Sequence, residues 1–129
     1  MKTQDTDKLK SIYKEMNFIL NKCQDGIEKA LCDEERKRAI FHTLITIKEK
    51  LDKLYETSSN EKILSLFDEK FKMRIKTTRN IAAHESDELN LRAVKNFILY
   101  DLKDKFFKSK LFFNDKKQQK QALHKIFLL

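Results

Sequence analysis

Proline is absent from this chain, and glycine occurs once, at Gly26. These two residues make most of the tight turns between strands, so their scarcity argues against a fold built from β-hairpins. A single glycine also excludes the glycine-rich loop with which many ATP-dependent enzymes hold phosphate groups. Long apolar runs are missing, and the opening residues MKTQDTDKLK are polar. We therefore expect no membrane segment and no secretion signal, and we predict a cytoplasmic protein.

Cysteine is scarce as well. Cys23 and Cys32 are too few for a disulfide framework, and no histidine stands near them at the spacing of zinc ligands. We expect both thiols to be reduced. Neither a metal ion nor another cofactor is predicted.

What the chain does contain is a helical pattern. It has 129 residues, of which 40% are hydrophobic, enough for one compact domain. Its apolar residues recur at three- and four-residue steps, and Lys and Glu are abundant. We predict an all-α fold, an antiparallel bundle of four main helices with an additional C-terminal helix. Residues 1–107 are expected to form the bundle, and residues 108–129 a helical extension packed on it or on a dimer interface.

The element boundaries follow from polar breaks. The first helix is predicted to end near Gly26, and the second to run from about residues 33–36 to the polar loop 57–60. Asn60 is the expected N-cap of a third helix that continues to His84. A fourth helix is predicted after a break at residues 85–90.

The charge balance favours a polyanionic partner. There are 28 Lys and Arg against 20 Asp and Glu, a formal net charge of +8, which attracts RNA or DNA through counterion release. A solvated lysine-rich surface explains the same sum. Towards the end, KDKFFKSKLFFNDKKQQKQALHK interleaves lysines with four phenylalanines, a pattern that favours core or interface packing over nucleic-acid contact. The predicted RNA-binding residues are Arg74, Lys76 and Lys117.

The stretch RNIAAH, residues 79–84, carries the side chains best suited to chemistry. Asn80 and His84 are four residues apart and share a helix face, whereas Arg79 and His84 lie about 140° apart around an ideal helix. Arg79 therefore reaches the space of His84 only from a helix end or from a second subunit. A two-fold axis that brings two copies of the motif into one cleft satisfies this requirement.

These residue types suffice for RNA cleavage without a metal. A histidine moves protons at neutral pH, and a guanidinium binds a phosphate and stabilises the charge that develops on it. With Arg79 and His84 in these roles and Asn80 orienting the imidazole, a ribose 2′-hydroxyl can attack its own neighbouring phosphate. Spacing alone favours a structural role, such as a helix cap, an interface or a solvated helix end, because an arginine and a histidine within six residues occur by chance in many helical proteins.

Residues 73–85, MRIKTTRNIAAHE, resemble the signature of the HEPN superfamily, specifically its small HepT-like toxin branch. That branch has an arginine, then a polar residue, then a histidine four to six places after the arginine, within a helical bundle. Similarity in residues 7–12, 38–44 and 86–102 extends the resemblance to roughly residues 5–107. The resemblance implies a homodimeric, metal-independent endoribonuclease toxin of a toxin–antitoxin system, with Arg79, Asn80 and His84 as its catalytic residues.

One position departs from the family pattern. Members often have a tyrosine two places after the histidine, which a nucleotidyltransferase antitoxin modifies with AMP, and Ser86 stands there in this chain. A non-catalytic HEPN-type interaction module and a basic nucleic-acid-binding protein are therefore alternatives. His42 lies among Ile40, Leu44 and Ile45 and is expected at the edge of the core or at an interface.

Overall fold

The computed structural model describes residues 3–84 and 88–114, and every regular element within them is helical. The all-α prediction is confirmed. The elements are α1 (Thr3–Lys22), α2 (Ile27–Cys32), α3 (Glu34–Thr57), α4 (Glu61–Leu64), α5 (Glu69–Ala83) and α6 (Glu88–Asn96). From α6 the helix continues through a π-helical segment, Phe97–Leu102, into α7 (103–114).

The long helices form an antiparallel bundle. Lys8 Nζ near the start of α1 lies 2.5 Å from Thr57 Oγ1 at the end of α3, and Lys50 Nζ lies 3.1 Å from Glu15 Oε1. Helix α3 also packs along α5, and α5 contacts both α6 and the π-helical segment. The four main helices are thus α1, α3, α5 and the continuous helix over 88–114. Their inward faces supply the core: Leu9, Ile12, Met16, Ile19, Ile40, Leu44, Ile47, Leu51, Leu54, Phe71, Ile75, Val94, Phe97, Ile98 and Leu102.

The chain between α1 and α3 contains a helix that the sequence pattern did not indicate. Gly26 follows α1 as expected, and its φ of 122° suits glycine, which adopts positive φ readily because it has no Cβ. The chain then forms the short α2 before Asp33 caps α3 by accepting hydrogen bonds from the backbone N–H groups of Glu35 and Arg36 at 3.1 and 3.2 Å. Arg36 Nη1 also binds Asp25 Oδ1 at 2.7 Å, which ties α3 to the turn after α1.

The predicted single helix from Asn60 to His84 is wrong. Asn60 caps only the one-turn helix α4, by accepting from the N–H groups of Lys62 and Ile63 at 3.1 and 3.3 Å. The chain turns over residues 65–68, and a new helix begins at Glu69. Phe67, within this turn, is buried in the core.

Helix α7 packs its inner face on α1. The ring of Phe106 stacks on Tyr13 at 4.7 Å between centroids, and Phe113 meets the same ring edge-on at 5.6 Å. Helix α7 crosses residues 107 and 108 without interruption, so the division into 1–107 and 108–129 stays a prediction. The rest of the predicted extension, including Lys117, lies outside the described residues.

Within residues 3–84 and 88–114, no helix combines the length and apolar character needed to cross a lipid bilayer.

Candidate functional site

Two side chains near the start of α5 determine where this helix begins. Asp68 caps it by accepting from the N–H of Phe71 at 2.9 Å, and this hydrogen bond lowers the pKa of the Asp68 carboxyl. The Tyr55 hydroxyl, from α3, donates to the backbone carbonyl of Phe67 and lies 3.2 Å from that of Leu64. Burial raises the pKa of Tyr55 to about 12. The starting point of α5 fixes which of its residues face outward, and so the orientation of the RNIAAH motif.

Helix α5 has one buried face and one outward face. Phe71, Ile75, Thr78 and Ala82 form the buried face. The outward face is a stripe of exposed residues at three- and four-residue steps, which we call the α5 stripe: Met73, Lys76, Thr77, Asn80 and His84. Three of the residues predicted to act on RNA, Lys76, Asn80 and His84, therefore share one surface.

The predicted catalytic residues lie in the last two turns of α5 and at its C-terminal end. Arg79 Nη1 donates to Asn80 Oδ1 at 3.3 Å. His84 is the residue that ends the helix, with φ of −108° and ψ of 15°, and its backbone N–H is bonded to the carbonyls of Asn80 and Ile81 at 3.2 and 3.3 Å. The angle of about 140° between Arg79 and His84 was calculated for an ideal helix, and the helix ends at Ala83, before His84. His84 thus stands at a helix end, one of the two positions from which a shared site with Arg79 was predicted.

The hydrogen bond of Asn80 differs from the one predicted. We expected this amide to orient the imidazole of His84, and in the structure its oxygen instead holds the guanidinium of Arg79. A guanidinium has five N–H donors, so this contact leaves donors for an anion. Within the described residues, Asn80 is therefore placed to position Arg79.

The predicted RNA-binding residues do not all lie together. Lys76 is on the α5 stripe and has no ion-pair partner among the described residues. Arg74 lies on the side of α5 that faces the π-helical segment, where its Nη1 binds Asp101 Oδ1 at 2.5 Å. The charge of Arg74 is thus already paired with a carboxylate.

One groove runs beside the α5 stripe, between α5 and the segment of α6 and the π-helix that faces it. We call it the α5–α6 groove; its volume is about 510 Å³, and Met73, Thr77, Asn96 and Tyr100 are among its lining residues. Two large side chains on its rim are unusually exposed for their type, Met73 at 70% and Tyr100 at 69%. Exposed apolar surface of this kind is typical of protein–protein contacts.

A second cleft lies on the other side of α5, against the first half of α3. This α3–α5 cleft has a volume of about 410 Å³ and is lined by Glu34, Lys37, Arg38, Phe41, His42, Ile45 and Ala82. His42 was expected at the edge of the core or at an interface; it is exposed and faces this cleft. The cleft could not be predicted from the sequence pattern, because one wall comes from residues 34–45 and the other from Ala82, far apart in the chain.

Among the residues that the structure describes, no three His, Cys, Asp or Glu side chains gather as metal ligands. Compared with protein-family models, curated proteins and solved structures, the chain has no match in any of the three.

Proposed function

We propose that the protein is a metal-independent endoribonuclease of the HepT-like kind, a toxin that cleaves RNA where two copies of the chain meet. The observation that carries the proposal is the arrangement at the end of α5, where Asn80 holds Arg79 and the exposed His84 ends the helix. Lys76 continues the same surface and has no ion-pair partner within residues 3–84 and 88–114. The net charge of +8 supports a polyanionic substrate.

The reaction needs one bond formed and one broken at phosphorus. His84 takes the proton of the ribose 2′-hydroxyl, whose oxygen then attacks the adjacent phosphate. The guanidinium of Arg79, fixed by Asn80, binds the non-bridging oxygens and stabilises the charge that develops there. The 5′-oxygen of the next nucleotide leaves and takes a proton from His84 of a second copy. The products are a 2′,3′-cyclic phosphate and a free 5′-hydroxyl.

The exposed large side chains on and beside the α5 stripe support the proposal that two copies of the chain associate. Met73 and Tyr100 border the α5–α6 groove next to the α5 stripe, so a two-fold contact through this groove buries them and sets two stripes side by side. Such a contact supplies the second histidine that the reaction requires.

The same proposal includes a nucleotidyltransferase-type antitoxin as a partner. In this chain the hydroxyl available at the family's modified position is that of Ser86, which lies outside the described residues. Transfer of a nucleotide to this hydroxyl would place negative charge two residues from His84 and oppose RNA binding.

The activity is tested with purified protein, a labelled RNA and a chelator in place of added metal. His84→Ala is expected to slow cleavage about 10²–10⁴-fold, because it removes a proton carrier, and Arg79→Ala about 10²–10³-fold. Arg79→Lys keeps the charge but loses the two-pronged contact, so it should recover only part of the rate. Lys53→Ala, on the exposed far end of α3, is the control and should cleave like the wild type. In cells, expression of the wild type should slow growth and that of His84→Ala should not.

Equal cleavage by the wild type and His84→Ala would show that His84 is not catalytic and would favour the non-catalytic interaction module. The dimer is tested separately by sedimentation of the wild type and Tyr100→Glu. A wild-type protein that stays monomeric at micromolar concentration contradicts the shared cleft. A weakened dimer with proportionally weaker cleavage in Tyr100→Glu supports it.

A further inference from the structure

The α3–α5 cleft contains two basic side chains that have no partner among the described residues. Arg38 and His42 are four residues apart, on the same side of α3, and both are exposed. Neither has a side-chain hydrogen bond or ion pair with any described residue. By contrast, Arg36 in the preceding turn is bound to Asp25 and Asp33 at 2.7 and 3.3 Å. Among the described residues, Arg38 and His42 in the cleft therefore lack a partner, whereas Arg36 in the preceding turn of α3 has two.

The other charges in the cleft cancel. Lys37 Nζ lies 3.0 Å from Glu34 Oε1, so the only carboxylate among the lining residues is already neutralised. Phe41 is half-buried and gives the cleft an apolar wall. The result is a concave site with a net positive charge, a side chain with forked donors and an imidazole, which suits an oxyanion such as a phosphodiester.

The cleft adjoins the proposed reaction centre. Ala82, the α5 residue that lines it, stands three positions after Arg79 on the same side of the helix and two positions before His84. Three residues correspond to a rise of about 4.5 Å along a helix. An RNA strand bound with one phosphate at Arg79 therefore has another phosphate within reach of the cleft.

We propose that Arg38 and His42 bind a phosphate of the RNA backbone next to the one that is cleaved. This inference rests on the proposed function for the place of the scissile phosphate, and no bond is made or broken in the cleft. Arg38 donates two N–H groups to the non-bridging oxygens, and His42 donates a ring N–H to the same group. The subsite fixes the direction in which the strand crosses the end of α5.

The test uses a fluorescein-labelled RNA oligonucleotide with 2′-O-methyl groups, which cannot undergo the transesterification, so that binding is measured apart from cleavage. Arg38→Ala and His42→Ala should each weaken binding about three- to tenfold in fluorescence anisotropy. Glu34→Gln frees Lys37 and should strengthen binding. Lys53→Ala is the matched control, since it removes one exposed charge from the same helix about 22 Å away and should change binding less than twofold.

The outcomes separate the subsite from the activity. Equal weakening by Arg38→Ala and Lys53→Ala would show diffuse attraction to a basic surface and overturn the subsite, as would weaker binding in Glu34→Gln. If the wild type cleaves unmodified RNA but neither cleft substitution affects binding, the subsite fails and the proposed function stands. If no RNA is cleaved but binding depends on Arg38 and His42, the binding site stands and the reaction fails. Because both side chains are exposed, unchanged thermal unfolding of the variants confirms that the fold is intact.

Discussion

Replacing Tyr55 with Phe tests whether one hydroxyl holds the turn that starts α5. The substitution keeps the ring, on which Lys72 Nζ sits 3.8 Å from the centroid, and removes only the donor to the carbonyls of Phe67 and Leu64. A lost hydrogen bond with its acceptor left half-buried costs about 1–2 kcal/mol. For a domain of this size the melting temperature should fall by about 4–7 °C, measured by far-UV circular dichroism. Tyr100→Phe, on an exposed ring, is the control and should melt within a degree or two of the wild type.

Ionisation of the same hydroxyl makes the free energy of unfolding depend on pH in alkaline solution. The pKa of Tyr55 is raised from 10.0 to about 12 by burial, with further contributions from Glu69 and Asp68. The folded state therefore holds this proton more tightly than the unfolded chain does. Its contribution is fully present below pH 10 and is lost as the pH rises through about 12. The rise corresponds to at most roughly 3 kcal/mol, which solvent screening of this partly exposed group reduces to about 1 kcal/mol.

Denaturant unfolding between pH 9 and 12 separates the two variants. The wild type should lose more stability across this range than Tyr55→Phe, which has no phenol at this position to ionise. Parallel pH profiles for the two proteins, or an unchanged melting temperature in Tyr55→Phe at neutral pH, would refute the reasoning.

Three further experiments test the aromatic core, the cap of α5 and the two cysteines. Phe71→Ala removes the middle ring of a buried aromatic cluster and should cost about 3–5 kcal/mol in urea unfolding, whereas Met73→Ala, on the exposed stripe, should cost less than about 0.5 kcal/mol. The lowered pKa of Asp68 means that its stabilisation is present above the ordinary carboxyl pKa and is lost as the pH falls through the folded value. Asp68→Asn keeps a capping side chain and should show a smaller loss of stability in acid than the wild type, while Asp68→Ala should lose about 1 kcal/mol at neutral pH. Burial raises the pKa of the Cys23 thiol, so a thiol reagent should modify the exposed Cys32 first, as read by mass spectrometry; faster labelling of Cys23 would contradict this placement.

The sequence predicted the long helices well because their apolar residues repeat without ambiguity. It missed the turn at residues 65–68 for a physical reason. Ile63, Phe67 and Phe71 keep four-residue spacing across the turn, and all three are buried, so the pattern of a single helix is preserved although the backbone is not helical. Neither proline nor glycine marks the interruption. The signal that was present is Asp68, a capping residue followed by Glu69.

Some features of the candidate site could likewise be predicted from the sequence, and others could not. The helical placement of Arg79 and Asn80 follows from periodicity, and the exposure of His84 follows from its place after Ala82, the last residue of the buried face of α5. The pairing of Arg79 with Asn80 depends on side-chain rotamers, which spacing does not determine. The exposure of His42 could not be predicted from its apolar neighbours, because α3 alternates buried and exposed positions within a single turn.

The π-helical segment sets the rotation of everything that follows it. A π turn takes in about one residue more than an α turn, and one residue corresponds to about 100° of rotation. Deleting a residue from Phe97–Leu102 would therefore turn α7 by that angle, carrying Phe106 away from Tyr13 and Lys105 away from Asp68, whose carboxylate lies 4.0 Å from the lysine. Ala93 and Asn96, which line the α5–α6 groove from α6, precede the deletion and would keep their register, whereas Tyr100 lies within the π-helical segment itself. In this segment the chain should accept changes of side chain far more readily than changes of length.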